Sequence, residues 1–203
     1  MNTGQMLMVL GALVLLSMVT ISINSMIINK TSTMLEAEAD LNAVSLAQSM
    51  IDEIQTCSYD LATAGGAKVY DSTEFTAPSG LGPSGTESAI VSLPDSLRRP
   101  GLNLPPSIDS VYKSAKYYND VDDYNGYKRY AWSTTLGNFY IIDTVFYVTE
   151  ADPNIRSSTQ TFYKKIVVTV RHRNMYPAGA PFDRWAGKYY LQLSDIAVYR
   201  RYF

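Results

Sequence analysis

The chain has 203 residues, 46% hydrophobic and 18% charged, with 17 bases and 19 acids for a formal net charge of −2. This composition fits one ordinary domain plus an extension and excludes a disordered, collagenous or disulfide-framed protein. A single cysteine and a single histidine leave little material for a disulfide, a zinc site or a histidine-based catalytic centre. Nor does a near-neutral chain offer the basic face that wrapping nucleic acid requires.

The charge is unevenly placed. Residues 1–67 carry one base, Lys30, against six acids, Glu36, Glu38, Asp40, Asp52, Glu53 and Asp60, for a net of −5, and the remainder, with 16 bases and 13 acids, carries +3. Two such parts attract one another between copies, over a range that screening limits to about 10 Å.

From Met6 to Ile28 the sequence runs 23 residues without a charge, which as a helix reaches roughly 35 Å, enough to cross a bilayer. Ser17, Thr20, Ser22, Asn24 and Ser25 interrupt it, and hydroxyls in such a run bond their own helix backbone. Gly11 and Ala12 would let another helix approach closely, or are plain spacing within an apolar helix. A secretory signal peptide would have a basic start and a shorter apolar core, and MNTGQ has no base. That also weakens a plain anchor oriented by flanking positive charge. Either a basic leader has been removed before Met1, or Met1 is the initiator.

After Asn29 and Lys30, the stretch from Thr31 to Thr56 has neither Gly nor Pro and repeats apolar residues at Leu41, Val44, Met50, Ile51 and Ile54. One helix from about residue 3 to about residue 56 follows, roughly 80 Å long. Its first half is greasy on every side. Its second half is amphipathic and needs a cover for one stripe.

Met1, Gln5, the apolar run to Ile28 and the acidic continuation resemble type IV pilins and pilin-like proteins, over about the first quarter of the chain. The resemblance implies an N-terminal helix that is first a membrane span and then the core of a filament. Family members commonly carry Glu at the fifth mature position, facing the N-terminal amine of a neighbouring subunit. Here Gln5 would accept a hydrogen bond from that amine without neutralising it. Cleavage after Gly4 would leave no acid at the new fifth position, so Met1 is preferred as the mature start. The resemblance names Met1, Gln5, Met6, Leu10, Gly11, Leu13 and Leu16 as assembly residues, with adhesion and methylation as further family attributes. A second, short resemblance, to minor pilins of the mannose-sensitive haemagglutinin type, lies in the eight residues from Asp120 to Tyr127.

Residues 57–110 are rich in Gly and Pro and read as an irregular region, either a variable surface loop or an arm bridging subunits. Residues 111–203 read as a β-rich head, with strands expected at 139–149, 162–171 and 189–203 and a shorter one at 131–136. In the second of these, Ile166, Val168 and Val170 share one side, against Lys165, Thr169 and Arg171. The expected fold is α+β, with the second half of the long helix packed on a C-terminal antiparallel sheet.

Asp120, Asp122, Asp123 and Asn125 are the candidate metal ligands. Counting back from Gly126, the EF-hand spacing fails at its first ligand, Val121, so calcium would need a looser loop. The alternative is an acidic turn that uses Asn125-Gly126 for positive φ. Sixteen tyrosines suit half-buried strands and interfaces. His172 reads as a surface or internally satisfied histidine, and Cys57 as a small buried hydrophobe. No catalytic arrangement and no resident cofactor is expected.

The resemblance therefore implies a structural subunit of an extracellular type IV pilus-like filament. It would be a helical homo-oligomer at the cell surface, reached through the cytoplasmic membrane and the pilus assembly machinery. A minor pilin or a secretion-system pseudopilin shares that architecture. A single-span surface-anchored binding protein is the competing reading, and an enzyme a distant third.

Overall fold

The computed structural model describes residues 2–85, 87, 114, 117–177, 179–184 and 186–200. One helix, α1, runs without interruption over Thr3–Gln55. The absence of proline and the hydroxyl pattern explain its continuity. Ser17, Thr20, Thr31 and Thr33 each donate to the carbonyl four residues back, at 2.8 to 3.0 Å, so they add no unsatisfied group to a greasy surface.

The strands are β1 (Lys128–Ser133), β2 (Gly137–Tyr147), β3 (Tyr163–Arg171) and β4 (Leu191–Val198). They form a single antiparallel meander in the order β1-β2-β3-β4. This is the expected α+β layout, with strand ends moved by a few residues; β1 begins three residues earlier than anticipated. Gly137, at φ +89°, closes the turn into β2.

The core lies between the second half of α1 and the inward rows of the sheet. Ile166, Val168 and Val170 are fully buried, as the alternation in β3 requires, and they meet Phe139, Ile141 and Val145 of β2. The helix stripe differs from the expected one. Met50, Ile51 and Ile54 are buried, but upstream the covered positions are Ala39, Ala43 and Ala47, while Leu41 is 73% and Val44 42% exposed. Alanines at four-residue spacing fall on one face and let the helix axis come close to the sheet. The larger Leu41 and Val44 face away.

The irregular region is no slack connection where it is described. Tyr59, Val69 and Phe75 form a second core with Tyr147, and Phe75 meets Tyr59, Phe162 and Tyr199 at ring-centroid distances of 5.0, 5.6 and 5.3 Å. Short 3-10 turns at Leu61–Thr63 and Ser72–Glu74 are started by the side chains of Asp60 and Asp71. Of the region 57–110 read as a surface loop or a bridging arm, residues 86 and 88–110 lie outside the described residues.

Candidate assembly surface

Sixteen large apolar side chains between Met6 and Ile28 are each more than half exposed. The most apolar window of α1 has a mean hydropathy of 2.5 and no buried residue, so the helix is long and apolar enough to cross a membrane. Covering such side chains is worth on the order of 1.5–3 kcal/mol each, far beyond the net stability of a domain. The candidate assembly residues Gln5, Met6, Leu10, Gly11, Leu13 and Leu16 are all exposed. Space is open around Gly11, where an added Cβ would meet nothing within 4 Å. Met1 lies outside the described residues.

Two ionic clusters hold the packed half of α1 and its loops to the sheet. At the end of the helix, Arg129 of β1 donates to both carboxylate oxygens of Glu53, at 2.7 and 2.6 Å, to the Ser114 hydroxyl at 2.6 Å and to the Tyr127 phenol at 3.2 Å. Tyr124 donates to Glu53 at 3.1 Å. Burial pushes the Glu53 carboxyl up, but the Arg129 guanidinium outweighs it and leaves the carboxyl below its ordinary range. Gln55 then reaches Asp195 of β4 at 2.7 Å.

The second cluster centres on Lys164, which stands in the inward row of β3 and is fully buried. Its three ammonium protons go to the Tyr59 carbonyl at 2.7 Å, the Asp60 carboxylate at 2.8 Å and the Asp122 carboxylate at 2.6 Å. The rings of Tyr59 and Tyr147 flank it, 4.6 and 5.3 Å from the nitrogen.

The four residues offered to calcium turn to separate partners. Asp122 takes the Lys164 ammonium. Asp120 accepts the backbone N–H groups of Asp122 and Asp123, at 2.9 and 3.2 Å, and Asp123 accepts those of Asn119 and Asp120, at 2.9 and 3.2 Å. Asn125 accepts from Val145 N–H and donates to the Leu81 carbonyl. Among the described residues, no group of three or more His, Cys, Asp or Glu side chains is placed to hold a metal ion. The Lys164 side chain stands beside the loop that the sequence offered to a calcium ion. Asn125-Gly126 forms a turn with Gly126 at φ +81°, closed by a bond from Tyr127 N–H to the Tyr124 carbonyl. Burial, then the charge of Asp122, raises the Asp120 carboxyl to about 8. Burial raises that of Asp123 to about 6 against the pull of its two backbone donors.

A third buried acid, Asp143, occupies the inward row of β2 opposite Val168. Neither of its side-chain oxygens has a hydrogen-bond partner. Burial pushes it well above the carboxylate range, opposed by Arg129, which favours the neutral acid over the carboxylate. Sequence reasoning missed Lys164, Asp60 and Asp143 as interior groups. The alternation itself held the signal for two of them, since Lys164 is in phase with Ile166 and Asp143 with Ile141 and Val145.

His172 is buried and internally satisfied: Nδ1 accepts the Asn174 N–H at 3.1 Å and Nε2 donates to the Leu136 carbonyl at 2.9 Å. The ring stacks on Phe139 at 4.3 Å. This arrangement requires the neutral ring, and burial lowers its pKa. Cys57 is half-buried beside Tyr124. Tyr118, Tyr124 and Tyr127 pack edge to face on one another at 5.0 to 5.6 Å. No family model matches the chain, nor does any curated protein or solved structure.

Proposed function

We propose that the chain is a structural subunit of a type IV pilin-like filament, in which the bare halves of many α1 helices bundle as the core and the β-rich heads form the outer surface. The observation that carries this reading is the division of one uninterrupted helix. Ala39 to Ile54 are anchored to the sheet, while Thr3 to Leu35 leave every side exposed. A helix apolar on all sides needs lipid or other greasy helices around it.

Both surroundings fit successive states of one subunit. Before assembly the run from Met6 to Ile28 lies in the cytoplasmic membrane. On extraction by a pilus assembly machinery it exchanges lipid for neighbouring copies. The outward-facing Leu41 and Val44 extend the same surface past the length of a bilayer span, which a membrane anchor alone does not use. Head-to-tail contacts that do not close generate the filament, and the acidic stalk and basic head favour contact between copies. A minor pilin or secretion pseudopilin has the same parts.

Electron microscopy of material sheared from the cell surface, with mass-spectrometric identification of the chain in the filament fraction, tests the proposal. Regular filaments built from this chain are expected. Recovery only from membranes, as a monomer, would overturn it in favour of an anchored binding protein.

A further inference from the structure

The Lys164 cluster contains the reactants of an acid–amine condensation. A primary amine and two carboxylates are in direct contact, all three side chains are at most 4% exposed, and aromatic rings wall the site. Nζ lies 2.6 Å from Asp122 Oδ1, so the fold already holds the amine and the carboxyl in contact and the two groups need no further encounter to react. We propose that Lys164 and Asp122 condense to an amide, forming an internal cross-link between β3 and the turn at 119–125, with Asp120 as the proton carrier.

The two aspartates differ in a way that selects Asp122. Asp60 spends its oxygens on its own loop, accepting the N–H of Ala62 at 3.1 Å and the N–H and hydroxyl of Thr76 at 3.1 and 3.2 Å. It acts as a positioning residue that orients the amine and afterwards accepts the amide N–H. Asp122 instead stands directly beside Asp120, whose Oδ1 accepts the Asp122 N–H at 2.9 Å and whose carboxyl burial pushes up to about 8.

The step balances without an oxidant. The ammonium passes one proton to the Asp122 carboxylate, giving a neutral amine and a neutral acid. The nitrogen lone pair attacks the carboxyl carbon and the C–N bond forms. Asp120 gives its proton to the departing hydroxyl and takes the second amine proton in return, the C–OH bond breaks and one water leaves. Excluding water from the site disfavours the reverse reaction. Condensation also removes a buried charge pair whose desolvation is costly.

Intact mass spectrometry of the full chain in detergent tests this directly, with Lys164→Met as the unreacted reference. The native chain is expected to weigh one water less than its sequence, and fragment spectra should join the Lys164 peptide to the Asp122 peptide. Asp122→Asn should lose ammonia in place of water. Asp120→Asn should keep its full mass while circular dichroism shows it folded. A native chain at full mass with a separate Lys164 peptide would overturn the cross-link, and a join to Asp60, or condensation undiminished in Asp120→Asn, would overturn these assignments. The test reads the head alone, so its outcome is independent of whether filaments form.

Discussion

The two halves of α1 share a backbone and differ in what covers them. Beyond Ala39 the helix presents alanines, then Met50, Ile51 and Ile54, to a sheet and is tied down by Glu53–Arg129 and Gln55–Asp195; before Leu35 its leucines, methionines and isoleucines are left exposed among the described residues. The difference teaches that hydrophobicity alone does not mark the face that docks within the chain: from Ala39 to Ala47 small residues let the sheet approach while Leu41 and Val44 face out, and only from Met50 to Ile54 do large side chains fill the contact. A substitution in the packed part should therefore change folding, and one in the bare part should change assembly.

The largest effect is expected at the interior lysine. Lys164→Met leaves Asp60 and Asp122 buried without the lysine that both contact, whether as an ammonium or as the proposed amide, and should cost the head about 3–5 kcal/mol, read from urea unfolding. Next comes the alanine stripe: Ala43→Leu overpacks the helix–sheet contact and should cost about 1–3 kcal/mol, whereas Leu41→Ala, two residues earlier and facing out, should stay within about 0.5 kcal/mol. Equal losses at the two positions would erase the distinction between the faces.

Asp143→Leu should stabilise the head by about 1–2 kcal/mol, because it replaces an acid without hydrogen-bond partners by an apolar side chain. The sign of its pH dependence follows from the raised pKa. The folded acid holds its proton at pH values where the unfolded one has lost it, so its contribution is present below about pH 4 and is lost as pH rises through the raised value. The gain from Asp143→Leu should therefore grow from acid to alkaline pH in thermal melts; a gain independent of pH would contradict a neutral buried acid. His172 runs the other way. Its pKa is lowered, so its contribution is full above about 6.5 and falls as pH drops below that, and His172→Asn should flatten the acid limb of the stability curve.

The smallest effect on the head belongs to the bare half. Gln5→Leu should leave head stability unchanged, and filament yield then reports whether a hydrogen bond from a neighbour's amine uses that side chain. Filaments indifferent to both Gln5→Leu and Gln5→Glu would remove any polar role for it.

Much of this architecture was legible because it rests on periodicity. The uncharged run, the absence of proline up to Thr56 and the alternation in β3 suffice for one long helix and a buried sheet face. The alanine stripe was hidden because alanine carries little hydrophobic signal, and its meaning depends on the sheet it touches. The acidic segment suggested oxygens for a cation, but the cation was a lysine 42 residues downstream of Asp122, a pairing that only tertiary structure brings together. Lys164 and Asp143 sat in plain phase with apolar neighbours, and the general expectation that charge faces water concealed them.

The central claim is that the bare half of α1 is covered by other copies of this chain. The most direct measurement places a photoreactive amino acid at Leu13 and, separately, at Ala43, irradiates intact cells and resolves the products by size. The account predicts a ladder of oligomers of this chain from position 13 and none from position 43. Cross-links from Leu13 to lipid alone, with the chain remaining monomeric, would contradict it.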